Sequence, residues 1–415
     1  MALLQPTSLV FTVERQEPEL IVPAKPTPHE CKLLSDTDDQ AGHRFQIRGL
    51  HIYRNNACMQ GKDPVRVIRE ALAETLEGPN RKLMVDCSGE GILFIEGDAD
   101  VTLEDFGDSL HPPFPCFKEL LYELPASIDL LNSPLLQIQV TRFNCGGFIF
   151  AHRFNHTSDA VGLIQFMSTM GEMARGAVAP SIPPLWERHL LNARDPPLIT
   201  CAHLEYDHDK AATGTIMPTD NLVHRSFFFG PTQISALRRS IPDNLRCSAF
   251  DILTACIWRC RTKALELGPD EDVRFICTVN ARSKFDPPLP LGYYGNALGY
   301  PAVETTAAKL CQNPLEYAIK LVKEAKGKVT EEYMKSTADL MVIRGRPNVN
   351  TGRSLIVSDL SRARFREVDF GWGKAENKEG KEGITVPVCL PAPLMDSFVK
   401  EINRLMLKED EATGG

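Results

Sequence analysis

Residues 136–174 read LQIQVTRFNCGGFIFAHRFNHTSDAVGLIQFMSTMGEMA. Leu136, Ile138 and Val140 alternate with Gln137, Gln139 and Thr141, the two-residue period of a half-buried strand. Asn144-Cys145-Gly146-Gly147 supplies a turn, and Phe148 to Phe154 returns as a second strand. From about Asp159 to Ala174 the period becomes helical, with Leu163, Phe166, Met167 and Met170 on one side. His156 and Asp159 therefore stand where an apolar strand runs into a helix. A histidine placed there can be held rigidly by the strand while reaching into a cleft. Imidazole, with an unperturbed pKa near 6.5, can take a proton from an alcohol at neutral pH. Asp159 can orient the ring or pair with a cation, and Ser158 or Asp159 can cap the helix. Taken alone, such a pair is more commonly a helix cap beside a hydrogen-bonded histidine.

Working outward, Asp63-Pro64-Val65 opens a helix with Val65, Ile68, Leu72 and Leu76 at helical spacing. Between Gly176 and about Asp220, Pro180, Pro183, Pro184, Pro196, Pro197 and Pro218 break any long helix, which marks a crossover between two parts of the chain. Beyond it, Val223–Phe229 reads as a strand, Pro231–Ile241 as a helix, and Ser248–Lys263 as a helix with Ser248 and Asp251 in capping-box positions. Val273–Val279 reads as a strand, Asn313-Pro314 as the capped start of a further helix, and Arg353–Val357 as a strand. Both parts mix strands and helices, with several strands joined by hairpins, so the class is α/β or α+β with two domains, of which α/β with mixed sheets is the expectation. The expected division is 1–175, a crossover at 176–220, and 221–415.

The chain has 415 residues, with 46 Lys+Arg against 54 Asp+Glu, and a formal net charge of -8. A net-acidic chain without a long basic run is a poor partner for nucleic acid or an anionic membrane. No run approaches the roughly 18 apolar residues of a membrane helix, and the N-terminus lacks a secretory pattern. The 12 cysteines include no CxxC pair. Cys256 and Cys260 have helical spacing but no nearby histidine, so reduced thiols and a cytoplasmic location are expected, with no metal site. There is no GxSxG and no phosphate-binding GxxxxGK[ST], and Gly89-Glu90-Gly91 lacks the third glycine of a dinucleotide fingerprint. His152 and His156 are four apart on a strand, which gives no helical zinc-binding face. Asp369-Phe370-Gly371-Trp372-Gly373 reads as a tight turn packed under an aromatic side chain.

Taken in order, these segments resemble the plant BAHD acyltransferases, nearest to fruit alcohol acyltransferases and benzyl alcohol benzoyltransferase-like members. The resemblance runs nearly end to end. It includes Phe11-Thr12-Val13 with Pro26-Thr27-Pro28, Gly61-Lys62-Asp63-Pro64, Gly78-Pro79-Asn80-Arg81-Lys82 and Leu191-Asn192-Ala193-Arg194-Asp195-Pro196-Pro197. It continues with Asn280-Ala281-Arg282-Ser283-Lys284, Gly292-Tyr293-Tyr294-Gly295-Asn296 and Asp369-Phe370-Gly371-Trp372-Gly373. The resemblance implies two similar chloramphenicol-acetyltransferase-like domains with a channel between them. It implies transfer of an acyl group from acyl-CoA, such as acetyl-CoA or benzoyl-CoA, to a small alcohol, in a monomer needing no metal or bound cofactor. His156 matches the family's catalytic base. Asp159 matches an aspartate that points away from the channel to an arginine, for which Arg282 is the match. The 369–373 motif is structural in the family; the Trp372 indole N–H is also a possible donor to the oxyanion.

Three departures qualify this. The family motif is His-x-x-x-Asp, whereas His156-Thr157-Ser158-Asp159 is one residue short. One residue rotates a helix start by about 100°. His156 could then keep its place while Asp159 loses its partner, or the reverse, and His156 is expected near the family position. The family's aromatic-Pro-x-Ala-Gly-Arg segment is absent between Glu77 and Gly78, leaving a hairpin-scale turn. After Lys374-Ala375, a glycine-rich stretch and a strand give way to the charged Glu376-Asn377-Lys378-Glu379-Gly380. Two readings follow: an alcohol O-acyltransferase forming volatile esters, and a silent member that at most binds CoA or a partner.

Overall fold

The computed structural model describes residues 2–4, 9–25, 30–75, 85–87, 90–109, 113–124, 133–207, 221–351, 353–376 and 383–411. In chain order the strands are β1 (Ala2–Leu4), β2 (Val13–Arg15), β3 (Glu19–Ile21), β4 (Glu30–Lys32), β5 (Gln46–Tyr53), β6 (Val85–Cys87), β7 (Ile92–Ala99), β8 (Leu136–Arg142) and β9 (Phe148–Asn155). They continue with β10 (Leu222–Phe229), β11 (Asp272–Cys277), β12 (Val279–Asn280), β13 (Leu298–Gly299), β14 (Ala302–Thr306), β15 (Ser354–Val357) and β16 (Ile384–Pro391). The helices are α1 (Pro64–Thr75), α2 (Phe117–Leu120), α3 (Ala160–Ala174), α4 (Pro231–Arg239), α5 (Ala249–Ala264), α6 (Ala307–Gln312), α7 (Leu315–Gly327), α8 (Glu331–Ile343) and α9 (Ala392–Glu411). The fold is mixed α/β, as expected.

One sheet runs β2-β7-β8-β9-β5, with β3 also on β7. β7 and β8 are parallel, while β8–β9 and β9–β5 are antiparallel. α1 and α3 cover one face, where Ile68, Leu72, Phe94, Ile138, Phe150 and Met167 form a buried core. Phe11, Ile52, Phe106, Phe143 and Ile149 form a second core on the opposite face. β8 is therefore buried on both sides, not half-buried as its alternation suggested. Its polar side chains meet backbone instead of water: Gln137 donates to the Tyr122 carbonyl at 2.7 Å, and Gln139 donates to that of Glu119 at 2.8 Å and accepts from the Tyr122 N–H at 2.7 Å. Such pairing removes the cost of burying an amide.

Among the described residues the later strands form three small sheets, β1-β10-β16, β14-β11-β15 and the two-stranded β12-β13, with β15 parallel to β11. Around them α5, α7 and α9 close a core that includes Trp258, Phe227, Phe275, Ile319 and Phe398. The Ser248/Asp251 capping box at α5 is present. Asn313 does not cap α7: Pro314 holds the N-cap position, and the Asn313 amide donates back to the Lys309 carbonyl at 2.8 Å. The segment after α3 is irregular through residue 207, with two 3-10 turns. The expected turn at Gly78–Lys82, the Pro26-Thr27-Pro28 segment and most of the charged loop after Glu376 lie outside the described residues.

Two segments cross between these bodies. β1 pairs with β10, so the first strand completes a sheet otherwise built after residue 221. Conversely, Val368, Phe370, Trp372 and Ala375 join the core under α1 and α3.

Candidate active site

β9 ends at Asn155 and α3 begins at Ala160, so the shortened motif is the whole connection. Asp159 is the N-cap of α3. One oxygen accepts from the N–H groups of Val161 and Gly162 at 3.0 and 3.1 Å, neutralising orphan donors of the first turn. The same carboxylate takes a two-pronged contact from Arg282 at 2.6 and 2.9 Å, and the Ala297 N–H at 3.0 Å. Arg282 also donates to the Gly295 carbonyl at 2.8 Å. Asp159 is 1 % exposed. With its acceptor capacity filled by these donors, it is a tie between α3 and the 280–297 segment. The loss of its partner that the shortened motif could have caused does not occur.

His156 is 8 % exposed. Its N–H donates to the Phe45 carbonyl at 3.1 Å, and its carbonyl accepts from the Asn296 amide at 3.0 Å. The ring stacks under Phe45, centroids 4.9 Å apart, and lies 4.6 Å from the ring of His43. Among the described residues its buried Nδ1 has no hydrogen-bond partner. Burial, reinforced by His43 and only partly opposed by Asp159 and Asp38, pushes its pKa down to about 3. The imidazole is therefore neutral at pH 7 and able to accept a proton. His43 is itself held down to about 4 by burial and contacts the Tyr300 hydroxyl at 2.7 Å.

Three further residues shape this loop: Asp38 and Arg188, which no motif marked, and Asn296, whose segment matched the family but whose role did not show in the sequence. Asp38, Arg188 and Asn296 are buried together. Arg188 meets Asp38 at 2.7 Å and donates to the Thr157 carbonyl at 2.8 Å, while Asn296 donates to Asp38 through its backbone and its amide. Burial opposes ionisation of Asp38, but Arg188 and hydrogen bonds from Ser35 and Asn296 outweigh it and hold the carboxyl below its usual range. The loop is also held at Ser158, whose hydroxyl donates to the Tyr294 carbonyl.

The 369–373 motif lies elsewhere. Asp369 accepts from the N–H groups of Gly371 and Gly373 at 2.7 and 2.8 Å, closing a tight turn. Gly371 has φ +110°, and a Cβ there would meet the Met59 side chain at 2.6 Å. Phe370 packs on Tyr53 and Phe150, and Trp372 meets Phe148 edge-on at 5.2 Å. Phe148 begins β9 and His156 follows its end, roughly 25 Å away at about 3.3 Å per residue. Trp372 is thus too distant to donate to an oxyanion formed at His156. Glu376, expected on the surface, donates its N–H to the Ile52 carbonyl at 2.8 Å and pairs with Arg54.

A cavity of 480 Å³ opens between α3 and the 288–293 segment, lined by Val161, Ile164, Gln165, Arg282, Leu289 and Tyr293 among others; His156 is not in its wall. Among the described residues there is no group of three or more side chains suited to a metal ion, and no helix long and apolar enough to cross a membrane.

The fold is mixed α/β, with a neutral buried histidine at a strand end whose neighbouring aspartate is tied to an arginine 123 positions away. Residues 11–405 match the model of the Transferase family, and the chain belongs to this family, the BAHD acyltransferases. It is 58% identical to benzyl alcohol O-benzoyltransferase of Nicotiana tabacum, over 98% of this chain and 96% of the relative. It is 49% identical to alcohol acyl transferase 1 (allele GSa) of Malus domestica, over 97% and 96%. The tobacco alignment spans 442 positions, more than this chain contains, so the relative carries residues lacking here, in keeping with the shortened segments. Among solved structures, vinorine synthase superposes with TM-score 0.73 at 20% identity, covering 95% of this chain and 98% of that one. TRI101 of F. sporotrichioides, complexed with coenzyme A and T-2, superposes with TM-score 0.67 at 17% identity, over 88% and 96%. These two likenesses concern the fold.

Proposed function

We propose that this chain is an acyl-CoA:alcohol O-acyltransferase with His156 as general base, taking aliphatic or aromatic alcohols and releasing small esters. The observation that carries this reading is the neutral His156 ring, its peptide fixed on both sides, beside an Asp159–Arg282 tie that survives the shortened motif. The names of the relatives at 58% and 49% identity supply the reaction class.

In this scheme His156 takes the proton of the acceptor hydroxyl as its oxygen attacks the thioester carbonyl. The C–S bond then breaks, the ester leaves, and the imidazolium returns the proton to the departing CoA sulfur. The energy of the new ester comes from the thioester. Asp159 and Arg282 fix the start of α3 and take no part in proton transfer. The 369–373 turn is a packing element. We further read 1–175 and 221–415 as two domains joined across 176–220, in a cytoplasmic monomer that binds acyl-CoA and a small alcohol, without nucleic acid or membrane.

Purified protein supplied with benzoyl-CoA and benzyl alcohol is expected to release CoA and benzyl benzoate. His156→Ala is expected to abolish that release while leaving the far-UV spectrum unchanged. Ester formation that persists in folded His156→Ala would remove His156 from the role.

A further inference from the structure

The geometry points to Asp38 as a positioning residue for His156, acting through Asn296 and Arg188; the inference builds on the proposed role of His156. Asp38 is fully enclosed at the start of the chain, 118 positions before the loop it serves. One carboxylate oxygen accepts from the Asn296 backbone N–H at 2.8 Å and from its side-chain amide at 3.0 Å. The other accepts from Arg188 at 2.7 Å and from Ser35 at 2.6 Å. Each partner then reaches the loop with the same group: Asn296 Nδ2 to the His156 carbonyl at 3.0 Å, and Arg188 Nη1 to the Thr157 carbonyl at 2.8 Å.

Two consecutive carbonyls are thus gripped by donors that a single carboxylate holds in place. The opposite edge of the same peptide run is pinned where the His156 N–H meets the Phe45 carbonyl at 3.1 Å. A loop this short has few turn bonds of its own, so the ring's position under Phe45 depends on these outside donors. The bonds to the Asp38 carboxylate and from the Arg188 guanidinium are charge-assisted, and hydrogen bonds to ionised groups in a dry interior are the stronger ones. The groups facing the His156 ring are His43, Phe45, Asp159 and Asp38, as its contacts and electrostatic neighbours record. Removing the Asn296 amide would let the ring swing toward water while leaving each of these side chains in the protein. That distinguishes a positioning role from a share in the chemistry.

The test replaces Asn296 by Ala, with Asn296→Ser as the second variant should Ala prevent folding; a serine is too short to bridge Asp38 and the His156 carbonyl. Val322→Ala, in the core between α5 and α7, serves as a control that lowers melting temperature away from the site. Two readouts are taken: steady-state kinetics with benzoyl-CoA and benzyl alcohol, and the His156 ring resonance titrated in histidine-labelled protein, assigned by its loss in His156→Ala. The clamp predicts that kcat falls about tenfold or more while KM for benzoyl-CoA stays within about twofold, and that proton affinity of His156 rises about tenfold as its ring meets water. The control should change neither. An unchanged His156 titration in a folded Asn296 variant, or a control that reproduces the kinetic loss, overturns the proposal. Were the unmodified protein to lack turnover altogether, the acyl-transfer reading would fall, whereas the titration would still decide the clamp.

Discussion

His156 meets two opposing demands. In the proposed reaction, burial keeps the ring neutral, so the base is present at every physiological pH, but the same burial penalises the imidazolium it would become. The oxyanion proposed to form beside it would supply the negative charge that the buried site withholds, so the penalty would be lowest when the proton has just moved. A free histidine would give an acid limb near pH 6.5. Here the neutral form is favoured, so kcat/KM is expected to stay level from pH 8 down to about 5 and to decline only below that. A pH profile in which kcat/KM has already halved near pH 6.5 would contradict the burial argument. His43→Leu removes one of the influences that oppose protonation and is expected to move the limb upward.

The element that decides the site is the junction of β9 and α3, and its tightness has a visible cost. Gly162 is in the first turn of α3, where a Cβ would come within 2.0 Å of Ser158 Oγ and 2.3 Å of the Tyr294 carbonyl. Only glycine lets the helix approach the 293–295 backbone that closely. Gly162→Ala is expected to cost about 1–3 kcal/mol and to lower turnover more than the stability loss alone would, read by melting temperature and CoA release together. A fully active Gly162→Ala with unchanged melting would show the approach to be dispensable.

The same junction marks what the sequence could and could not convey. α3, and α5 with its capping box, were legible because their signals lie within a few residues of one another. The Gln137/Gln139 face of β8 was misread because amides satisfied by a covering backbone look, in one dimension, like amides in water. Asn313 had a capping residue's chemistry but spent it on the preceding helix. Asp38 and Asn296 stand 258 positions apart, and no spacing rule connects them. The 369–373 motif was visible as a turn, but not that its aromatic residues fill the core beneath α1 and α3.

At the scale of the whole molecule, several neutral histidines are locked in the interior. Burial pushes His43 and His51 down to about 4, and His152 and His156 down to about 3. His51 and His152 stack at 5.4 Å, each with a buried nitrogen that has no hydrogen-bond partner among the described residues. Unfolded chains take up these protons near pH 6.5, whereas the folded protein refuses them until about pH 3–4. The unfolded state therefore binds more protons in that interval. Stability is complete above about pH 6.5 and is lost progressively as pH falls toward 4, by up to about 1.4 kcal/mol per pH unit for each ring. Melting temperature measured at pH 7.5 and pH 5 should fall, and His51→Phe should reduce the difference; an equal slope in both proteins would exclude His51 as a contributor.

The exchange of segments between the two bodies also imposes an order on how the protein comes into being. β1 leaves the ribosome more than 200 residues ahead of its partner β10 and the rest of that sheet. The sheet under α3 has all its strands by Asn155, but the aromatic residues that fill the space beneath it arrive with Phe370 and Trp372. At about 5–20 residues per second, the early half waits on the order of tens of seconds with an apolar face still open. A nascent chain of this design has no self-contained first half to complete early. β10 is needed before β1 is paired, and Phe370 and Trp372 before the core beneath α3 is filled, and that interval is when a chaperone would find it.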